Sequence, residues 1–214
     1  DQYVSAVKPI QSGFINFYLS AKTAFRVLED VLAQGESYGR SSAGNNQRVQ
    51  IEFVSANPTG PLTIAHARQA VVGDVLANIL NFTGAQAQRE YHVNDGGNQI
   101  TILGRSIEFR MREILGETID FPPECYQGAY IKDMARIFME RNGVTRLDQV
   151  DQLPDKVMQL RKFGATYLLE VIQQELKDLG VHFDIWTYES QVADKKTILA
   201  VLDELQQKGF LYEK

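Results

Sequence analysis

The junction between a loop and a helix at residues 55–66 carries the residue types best suited to chemistry. The loop reads Ser-Ala-Asn-Pro-Thr-Gly-Pro-Leu (55–62), and Thr63 and His66 stand where a helix is predicted to begin. The first turn of a helix has unpaired N–H groups and a positive dipole end, so it binds phosphate readily. A hydroxyl and an imidazole there can donate to a nucleotide triphosphate and stabilise charge that builds on its α-phosphate. Gly60 and Ala65 leave room for a base or a ribose to come close.

A plainer interpretation of the same junction stays open. Thr63 can serve only as the N-cap of the helix, and His66 can be a surface residue in its first turn. Taken alone, the spacing of the two residues favours this plainer interpretation.

The elements around the junction predict how it is held. Residues 48–54 alternate between polar and apolar types as a strand does, and two prolines keep 55–62 from being helical. Apolar residues then recur at helical spacing from Val71 to Leu80, and Gly84 ends that helix. Residues 86–93 read as a second strand, so a strand–helix–strand unit with parallel strands is expected. Ligands of such sheets bind beyond the carboxyl ends of the strands, which is where the 55–66 junction lies.

The rest of the chain is predicted to be mainly helical. Two short strand patterns open it, at 3–7 and 13–19, and a Gly-, Ser- and Asn-rich linker occupies 35–47. A loop is expected at 94–98, an irregular stretch at 117–130 and a short strand at 183–188. Helices are predicted at 21–34, 99–115, 130–141, 154–179 and 193–208.

Composition limits the class of protein. The chain has 214 residues and a net charge of −5, which argues against a protein that grips nucleic acid over its whole surface but allows a local basic groove. A single cysteine, Cys125, excludes an intrachain disulfide and a cysteine-based zinc site. No apolar run in the sequence is long enough to span a membrane.

Four blocks of the sequence resemble the bacterial type of arginyl-tRNA synthetase, a class I aminoacyl-tRNA synthetase. They occur in the family's order and extend over nearly the whole chain, which is more specific than any short motif. The resemblance implies an α/β fold, namely the first half of a Rossmann-like parallel sheet of the HUP type with a helical insertion. The blocks are Gly13–Leu19, Val49–Asp74, Arg89–Ile100 and 161–190, the last ending in Gly-Val-His-Phe-Asp-Ile-Trp-Thr-Tyr-Glu-Ser.

The resemblance also implies a division of the chain. Residues 1–47 would be the end of an N-terminal tRNA-binding module with its linker, and 48–103 the first half of the catalytic domain. Residues 104–190 would be a mainly helical insertion with a return strand, and 191–214 a helix and a strand leading into a second half. The chain opens inside a strand pattern and closes on the apolar run Phe210–Tyr212, so both ends are interpreted as cut.

Residue roles follow from the resemblance for the amino-acid side of the site. Glu52 would meet the guanidinium of arginine, because a carboxylate suits it through paired, charge-assisted hydrogen bonds. Ser55 and Asn57 would hold its α-amino group. Without the resemblance, Glu52 is a solvated strand residue and Asn57 a turn residue that caps its own backbone.

Roles also follow for the nucleotide side. Gly60, Thr63, Ala65 and His66 would contact ATP, which carries Mg²⁺, and Thr63 and His66 would act in catalysis. Asn94 and Asp95 resemble a block near the catalytic cleft. An equally favoured alternative makes those two a turn before a helix, with Asp95 near its N-cap.

One departure from the family pattern stands at the helix start. Class I synthetases usually carry His-x-Gly-His there, whereas this chain has Thr63-Ile64-Ala65-His66. Thr63 keeps a hydrogen-bond donor, as in related class I enzymes. The extra methyl of Ala65 is expected to crowd an adenine that normally packs on glycine, at a cost of ~1–3 kcal/mol if nothing relaxes. Weaker ATP binding or a slightly moved loop is therefore predicted.

Several other polar and aromatic residues are predicted to be structural. His92 and His182 are expected in packing or surface roles, and Trp186 with Phe183 and Tyr188 is expected in the core. Charged residues on the predicted helix 154–179 are expected to be solvated: Glu170, Glu175, Lys177 and Asp178.

The function implied by the resemblance is ATP-dependent activation of arginine and its transfer to tRNA(Arg), in a cytoplasmic, monomeric protein without membrane contact. Members of the family have a lysine-rich loop with a sequence like Lys-Met-Ser-Lys-Ser, and no such run occurs in this sequence. The chain by itself is therefore expected to be inactive. Two alternatives stay open: a non-catalytic paralogue that binds tRNA or a protein, and a different nucleotide-binding α/β protein such as a nucleotidyltransferase.

Overall fold

Two antiparallel strands and a helix open the described part of the chain. The computed structural model describes residues 3–211. Strand β1 (Val4–Pro9) pairs with β2 (Ile15–Leu19), and helix α1 (Ala21–Gln34) follows. The predicted strands and helix therefore form, with bounds shifted by one or two residues. Helix α1 has no buried residue, so this segment takes little part in the core.

The predicted strand–helix–strand unit is the centre of the structure. Strand β3 (Arg48–Glu52), helix α2 (Ile64–Phe82) and strand β4 (Gln86–Val93) follow one another, and the two strands are parallel. Their register places Glu52 beside Glu90. Strand β3 is shorter than the predicted 48–54, because the backbone leaves strand geometry at Val54, although the Phe53 N–H still donates to the Glu90 carbonyl of β4.

The Gly-rich linker is tied to the end of this unit. After a short 3-10 turn at Gly35–Ser37, the linker donates two backbone hydrogen bonds to the turn between α2 and β4, from Gly44 to Thr83 (2.8 Å) and from Asn46 to Gly84 (2.9 Å). The segment predicted as a linker is thus fixed against the domain that follows it.

A helical insertion follows strand β4. Its members are α3 (Gly97–Ile114), α4 (Ala129–Asn142), α5 (Leu147–Asp151) and α6 (Lys156–Asp178). The three long helices were predicted from hydrophobic spacing, whereas the five-residue α5 is too short to show a period. The helix predicted to start at residue 154 starts at Lys156, because Asp155 has a left-handed backbone conformation, with a φ of 43°, and stands at the N-cap.

The chain then returns to the sheet. Strand β5 (Ile185–Tyr188) pairs in parallel with β4, which gives the strand order β3-β4-β5 among the described residues. A four-residue helix that was not predicted, α7 (Glu189–Val192), and helix α8 (Lys195–Gln207) follow. Phe210 and Leu211 do not form the strand expected at this end, and Tyr212 lies outside the described residues.

Helix α6 is shared by two hydrophobic clusters. Toward α3 and α4 its Leu160 and Leu168 join the first cluster, and toward the sheet its Ile172 and Leu176 join the second. The helix therefore fixes the insertion against the sheet, and burial of these apolar side chains supplies most of the driving force.

The aromatic residues near β5 belong to the core, as predicted. The Trp186 ring stacks on Tyr91 with ring centroids 4.4 Å apart, and Phe183 meets both rings edge-on at 5.3–5.4 Å. Tyr188 packs on the same cluster. These contacts pack β4 and β5 at the place where both strands approach the candidate site.

Candidate active site

The backbone turns sharply as it leaves β3. Val54 and Ser55 have φ angles of 64° and 40°, in the left-handed region that a β-branched residue such as valine rarely adopts. The Ser55 hydroxyl accepts a hydrogen bond from the His92 N–H of β4 at 3.1 Å, in place of the backbone partner that β3 no longer provides. Such conformations cost about 1–3 kcal/mol and tend to occur at functional sites.

Two tyrosine hydroxyls, one from a buried and one from a half-buried side chain, hold the loop carbonyls. Tyr91 of β4 donates to the Ala56 carbonyl and Tyr130 of α4 donates to the Thr59 carbonyl, each at 2.8 Å. Burial raises the pKa of both phenols above their ordinary value, so both stay protonated donors. A side-chain carbon at Gly60 would lie 3.3 Å from the Tyr130 hydroxyl, so the space beside the Gly60 Cα is bounded by this tyrosine side chain.

A carboxylate of helix α6 holds the end of the loop. The Leu62 N–H donates to Glu175 Oε2 at 3.2 Å. Glu175 was predicted to be a solvated residue, and that prediction is wrong for this member of the group. The two residues are 113 positions apart, so the contact arises only after the insertion has packed on the sheet.

Thr63 and His66 close the first turn of α2 on themselves. The Thr63 N–H donates to His66 Nδ1 at 3.1 Å, and the Thr63 hydroxyl lies 3.2 Å from the same nitrogen. Because Nδ1 accepts from an N–H, the ring proton resides on Nε2, which is then a donor. Thr63 is at the N-cap of α2, as the plainer interpretation predicted. Its pairing with His66 also leaves a ring N–H beside the N-terminus of the helix. Ala65, in the same turn, is exposed.

Glu52 lies on the wall of an open cleft of about 580 Å³ between β3 and α2. Ser55 lines the same cleft, so two residues predicted for the amino-acid side come together. The α2 side contributes Arg68 and Gln69 but neither Thr63 nor His66. The sequence-based prediction missed Arg68 and Gln69, although helical spacing puts them on the same face as Val72 and Leu76, which also line the cleft.

The cleft depends on a close approach at Gly73. A side-chain carbon at this position would lie 2.2 Å from the Phe53 ring, so only glycine lets that ring rest on α2. Phe53 in turn contacts Phe183, with ring centroids 4.5 Å apart. The strand end that bears Glu52 is thereby packed between α2 and the aromatic cluster.

Asn57 points to the insertion. Its amide donates to Gln99 Oε1 of α3 at 2.5 Å. Asn57 is therefore held by a contact outside the loop and does not cap its own backbone in the way the turn interpretation required.

Asp95 connects the ends of β4 and β5. Its carboxylate accepts from the Ser190 N–H at 3.0 Å and from the Ser190 hydroxyl at 2.6 Å. Helix α3 has Gly96 in its N-cap position, so Asp95 lies directly before the N-cap, near it as the alternative predicted, although its carboxylate does not cap the helix. Asp95 also lines a second cavity, of about 320 Å³, together with Pro58 and Tyr188, whereas Asn94 is simply exposed.

A histidine–carboxylate pair that the sequence did not predict lies beside Asp95. His92 Nε2 lies 2.8 Å from Glu189 Oε2. Glu189 and Ser190 both belong to the short helix α7, which was not expected. Helix α7 is thus attached to the end of β4 by two side-chain contacts.

Residues 3–211 contain neither a metal-binding cluster nor a membrane-spanning helix. No group of three or more His, Cys, Asp or Glu side chains is arranged to hold a metal ion. No helix in that range is both long and apolar enough to cross a lipid bilayer.

Comparison with known proteins gives a consistent result. The model of the family described as tRNA synthetases class I (R), catalytic domain, matches residues 27–214. The arginine–tRNA ligase of Syntrophotalea carbinolica is 42% identical over 98% of this chain, and that of Citrifermentans bemidjiense is 44% identical over 94%. The chain spans only 38% and 36% of the length of these two relatives.

Solved structures agree with the sequence relatives. A Campylobacter jejuni structure described as an arginyl tRNA synthetase superposes with a TM-score of 0.76 at 31% identity, covering 88% of this chain and 40% of that one. Thermus thermophilus arginyl-tRNA synthetase has a TM-score of 0.57 at 18% identity, covers 97% of this chain and 33% of its own, and supports the fold alone. The expected Rossmann-like α/β fold is confirmed. The chain belongs to the class I tRNA synthetase (R) family and represents part of its catalytic domain.

Proposed function

We propose that the whole protein activates arginine with ATP and transfers it to tRNA(Arg). The observation that supports this most directly is the junction after β3, where a cleft that bears the Glu52 carboxylate and the exposed first turn of α2 flank one fixed loop. Relatives named arginine–tRNA ligase cover nearly all of this chain.

The helix start would serve the first chemical step. In that step a carboxylate oxygen of the amino acid attacks the α-phosphorus of ATP, a P–O bond forms, and the bond to pyrophosphate breaks. The N–H groups of the first turn of α2 and the Nε2–H of His66 would stabilise the charge that builds on the non-bridging oxygens. Mg²⁺ bound to the ATP phosphates would neutralise further charge.

The cleft beside β3 would select the amino acid. Glu52 is exposed within it and forms no ion pair among residues 3–211, so its carboxylate is available to a guanidinium. Ser55 and Asn57 would face the α-amino group, since both are fixed by contacts from β4 and α3. In the second step, a ribose hydroxyl at the 3′ end of tRNA attacks the acyl carbon and AMP leaves.

The test is amino-acid-dependent ATP–pyrophosphate exchange by the full-length protein in the presence of tRNA(Arg), with citrulline or lysine supplied in place of arginine. Citrulline has the shape of arginine without its charge, so recognition by Glu52 predicts exchange with arginine and at least 10²-fold less with citrulline. Exchange that does not distinguish arginine from citrulline would contradict the proposal. Because this chain spans under two fifths of its relatives' length, we expect the 214-residue chain alone to show no exchange.

A second candidate is a non-catalytic, synthetase-like protein that binds tRNA. Thr63 and Ala65, which depart from the usual His-x-Gly-His pattern, favour it. It predicts that the full-length protein binds tRNA(Arg) but gives no exchange with any amino acid, so the same assay separates the two candidates.

A further inference from the structure

The helical insertion contacts the loop after β3 at Asn57, Thr59 and Leu62, through one side chain from each of its three long helices. The contact at Leu62 comes from Glu175 of α6 and lies nearest to the start of α2. Leu62 directly precedes Thr63, the N-cap residue of that helix. The contact with Glu175 therefore fixes the point from which α2 begins.

The Leu62 N–H is a donor that the loop itself leaves free. Pro61 before it has no N–H, and among residues 3–211 no backbone carbonyl accepts from Leu62. The Glu175 carboxylate accepts from it at 3.2 Å. The Leu62 side chain also packs against the second hydrophobic cluster, to which Leu176 of α6 belongs. Helix α6 thus contacts Leu62 through both its backbone N–H and its side chain.

Glu175 lacks a cationic partner in the described part of the chain. Its side chain is half-buried, and among residues 3–211 it forms no ion pair with a lysine or an arginine. A partly buried carboxylate is costly unless hydrogen bonds or dipoles compensate its charge. Here the Leu62 N–H and the positive dipole end of α2 supply that compensation. The start of α2 and the carboxylate therefore stabilise each other.

The start of α2 in turn orients His66. The Thr63 N–H donates to His66 Nδ1 at 3.1 Å, which leaves the ring proton on Nε2. Among residues 3–211 no side chain other than that of Thr63 forms a hydrogen bond with His66. A shift of Leu62 would therefore move the Thr63 N–H, and the imidazole would follow.

We propose that Glu175 is a positioning residue for His66 and acts through Leu62 and Thr63. Glu175 contacts no reacting atom, and its part is to accept the Leu62 N–H so that the Nε2–H of His66 points to the α-phosphate. The inference rests on the proposed function, because it assigns Glu175 to the nucleotide side of that reaction. It also makes the orientation of His66 dependent on how the insertion packs against the sheet.

The kinetic experiment measures arginine-dependent pyrophosphate exchange by the full-length protein with tRNA(Arg). Glu175→Ala removes the acceptor and is expected to lower kcat about tenfold with the KM for arginine unchanged, because a small misplacement of a reacting group slows the chemical step. Glu175→Gln keeps an acceptor oxygen and should retain kcat within about threefold, since an amide oxygen accepts more weakly than a carboxylate. The matched control is Glu170→Ala, at an exposed glutamate of α6 that among residues 3–211 has no hydrogen bond to the loop, and it should change neither value.

Combination with His66→Ala separates positioning from general damage to the fold. If Glu175 acts through His66, adding Glu175→Ala to His66→Ala should lower kcat by less than about twofold further, because residues that act as one unit are not additive. A tenfold loss in both backgrounds, no loss in Glu175→Ala, or equal losses in the alanine and glutamine variants would overturn the proposal.

A spectroscopic measurement tests the proposal independently of activity. In the full-length protein with ¹⁵N-labelled histidine at pH 8, the His66 signals are those absent from His66→Ala, and they report which ring nitrogen carries the proton. We expect the proton on Nε2 in the unmodified protein and in Glu175→Gln, and a mixture of both tautomers in Glu175→Ala. Unchanged His66 signals in Glu175→Ala would overturn the positioning role. The expected signals without any exchange by the unmodified protein would instead contradict the proposed function.

Discussion

Two adjoining stretches of the site differ in how they are held. Residues 53–62 accept or donate hydrogen bonds to β4, α4 and α6, through Tyr91, Tyr130 and Glu175. Residues 63–66 make their side-chain hydrogen bonds only with each other, between Thr63 and His66. The loop at 53–62 is thus fixed by the surrounding fold, whereas the helix start at 63–66, which we propose binds the nucleotide, is an exposed helix end.

Because of this difference, effects on folding stability and effects on activity can be measured separately. A contact that fixes the loop also holds the sheet to the insertion, so its loss should lower the free energy of unfolding along with activity. A donor on the exposed helix end is not needed for folding, so its loss should lower activity alone. Substitutions in the two stretches test this separation.

The largest effect is expected from His66→Ala. Loss of the Nε2–H donor should slow arginine-dependent pyrophosphate exchange by about 10²–10³-fold, as removal of one transition-state donor does elsewhere. The free energy of unfolding should fall by no more than about 1 kcal/mol, the usual cost of losing a helix cap contact. His182→Ala, at an exposed histidine outside the site, is the control. If His66→Ala lowered the free energy of unfolding by as much as it raised the activation free energy of exchange, the distinction between the two stretches would be lost.

The next largest effect is expected from Gly73→Ala. The added methyl meets the Phe53 ring, so ring and strand end must shift, at a cost of about 1–3 kcal/mol in unfolding free energy. Urea unfolding of the 214-residue chain measures it. Gly96→Ala is the control, because the space around Gly96 is open. Equal destabilisation by both variants would show that the close approach at Gly73 does not fix the cleft.

A smaller loss is expected from Tyr91→Phe, about 1–2 kcal/mol, because the Ala56 carbonyl loses a buried donor. Tyr91 also predicts a pH dependence. Burial raises its pKa above the ordinary value of 10.0, so the unfolded state ionises first and stability falls as pH rises above about 10. In urea unfolding at pH 9 and pH 11, Tyr91→Phe should lessen this alkaline loss. An unchanged alkaline loss would mean that other groups cause it.

The smallest effect is expected from Ala65→Gly. Removing the methyl should lower the KM for ATP about fivefold, equivalent to ~1 kcal/mol at the low end of overpacking costs, and leave the KM for arginine unchanged. Steady-state exchange kinetics of the full-length protein measure both. No change in the KM for ATP would remove the crowding argument.

The central strand–helix–strand unit could be predicted from the sequence because its elements are long enough to show their periods. Helices α5 and α7 could not, since five and four residues are too few. In the site, the local sequence pattern was sufficient to predict the loop and the start of the helix. It could not give Tyr130 or Glu175, whose partners lie 71 and 113 positions away and meet them only through the packing of the insertion.

The most direct test of the account is Glu52→Gln in the full-length protein. The substitution keeps the shape of the side chain and removes only its charge, so the KM for arginine should rise by about 10²-fold, the value of a charge-assisted pair of ~2–3 kcal/mol. The KM for ATP should stay as it is. An unchanged KM for arginine, measured by pyrophosphate exchange, would contradict the assignment of this cleft to the amino acid.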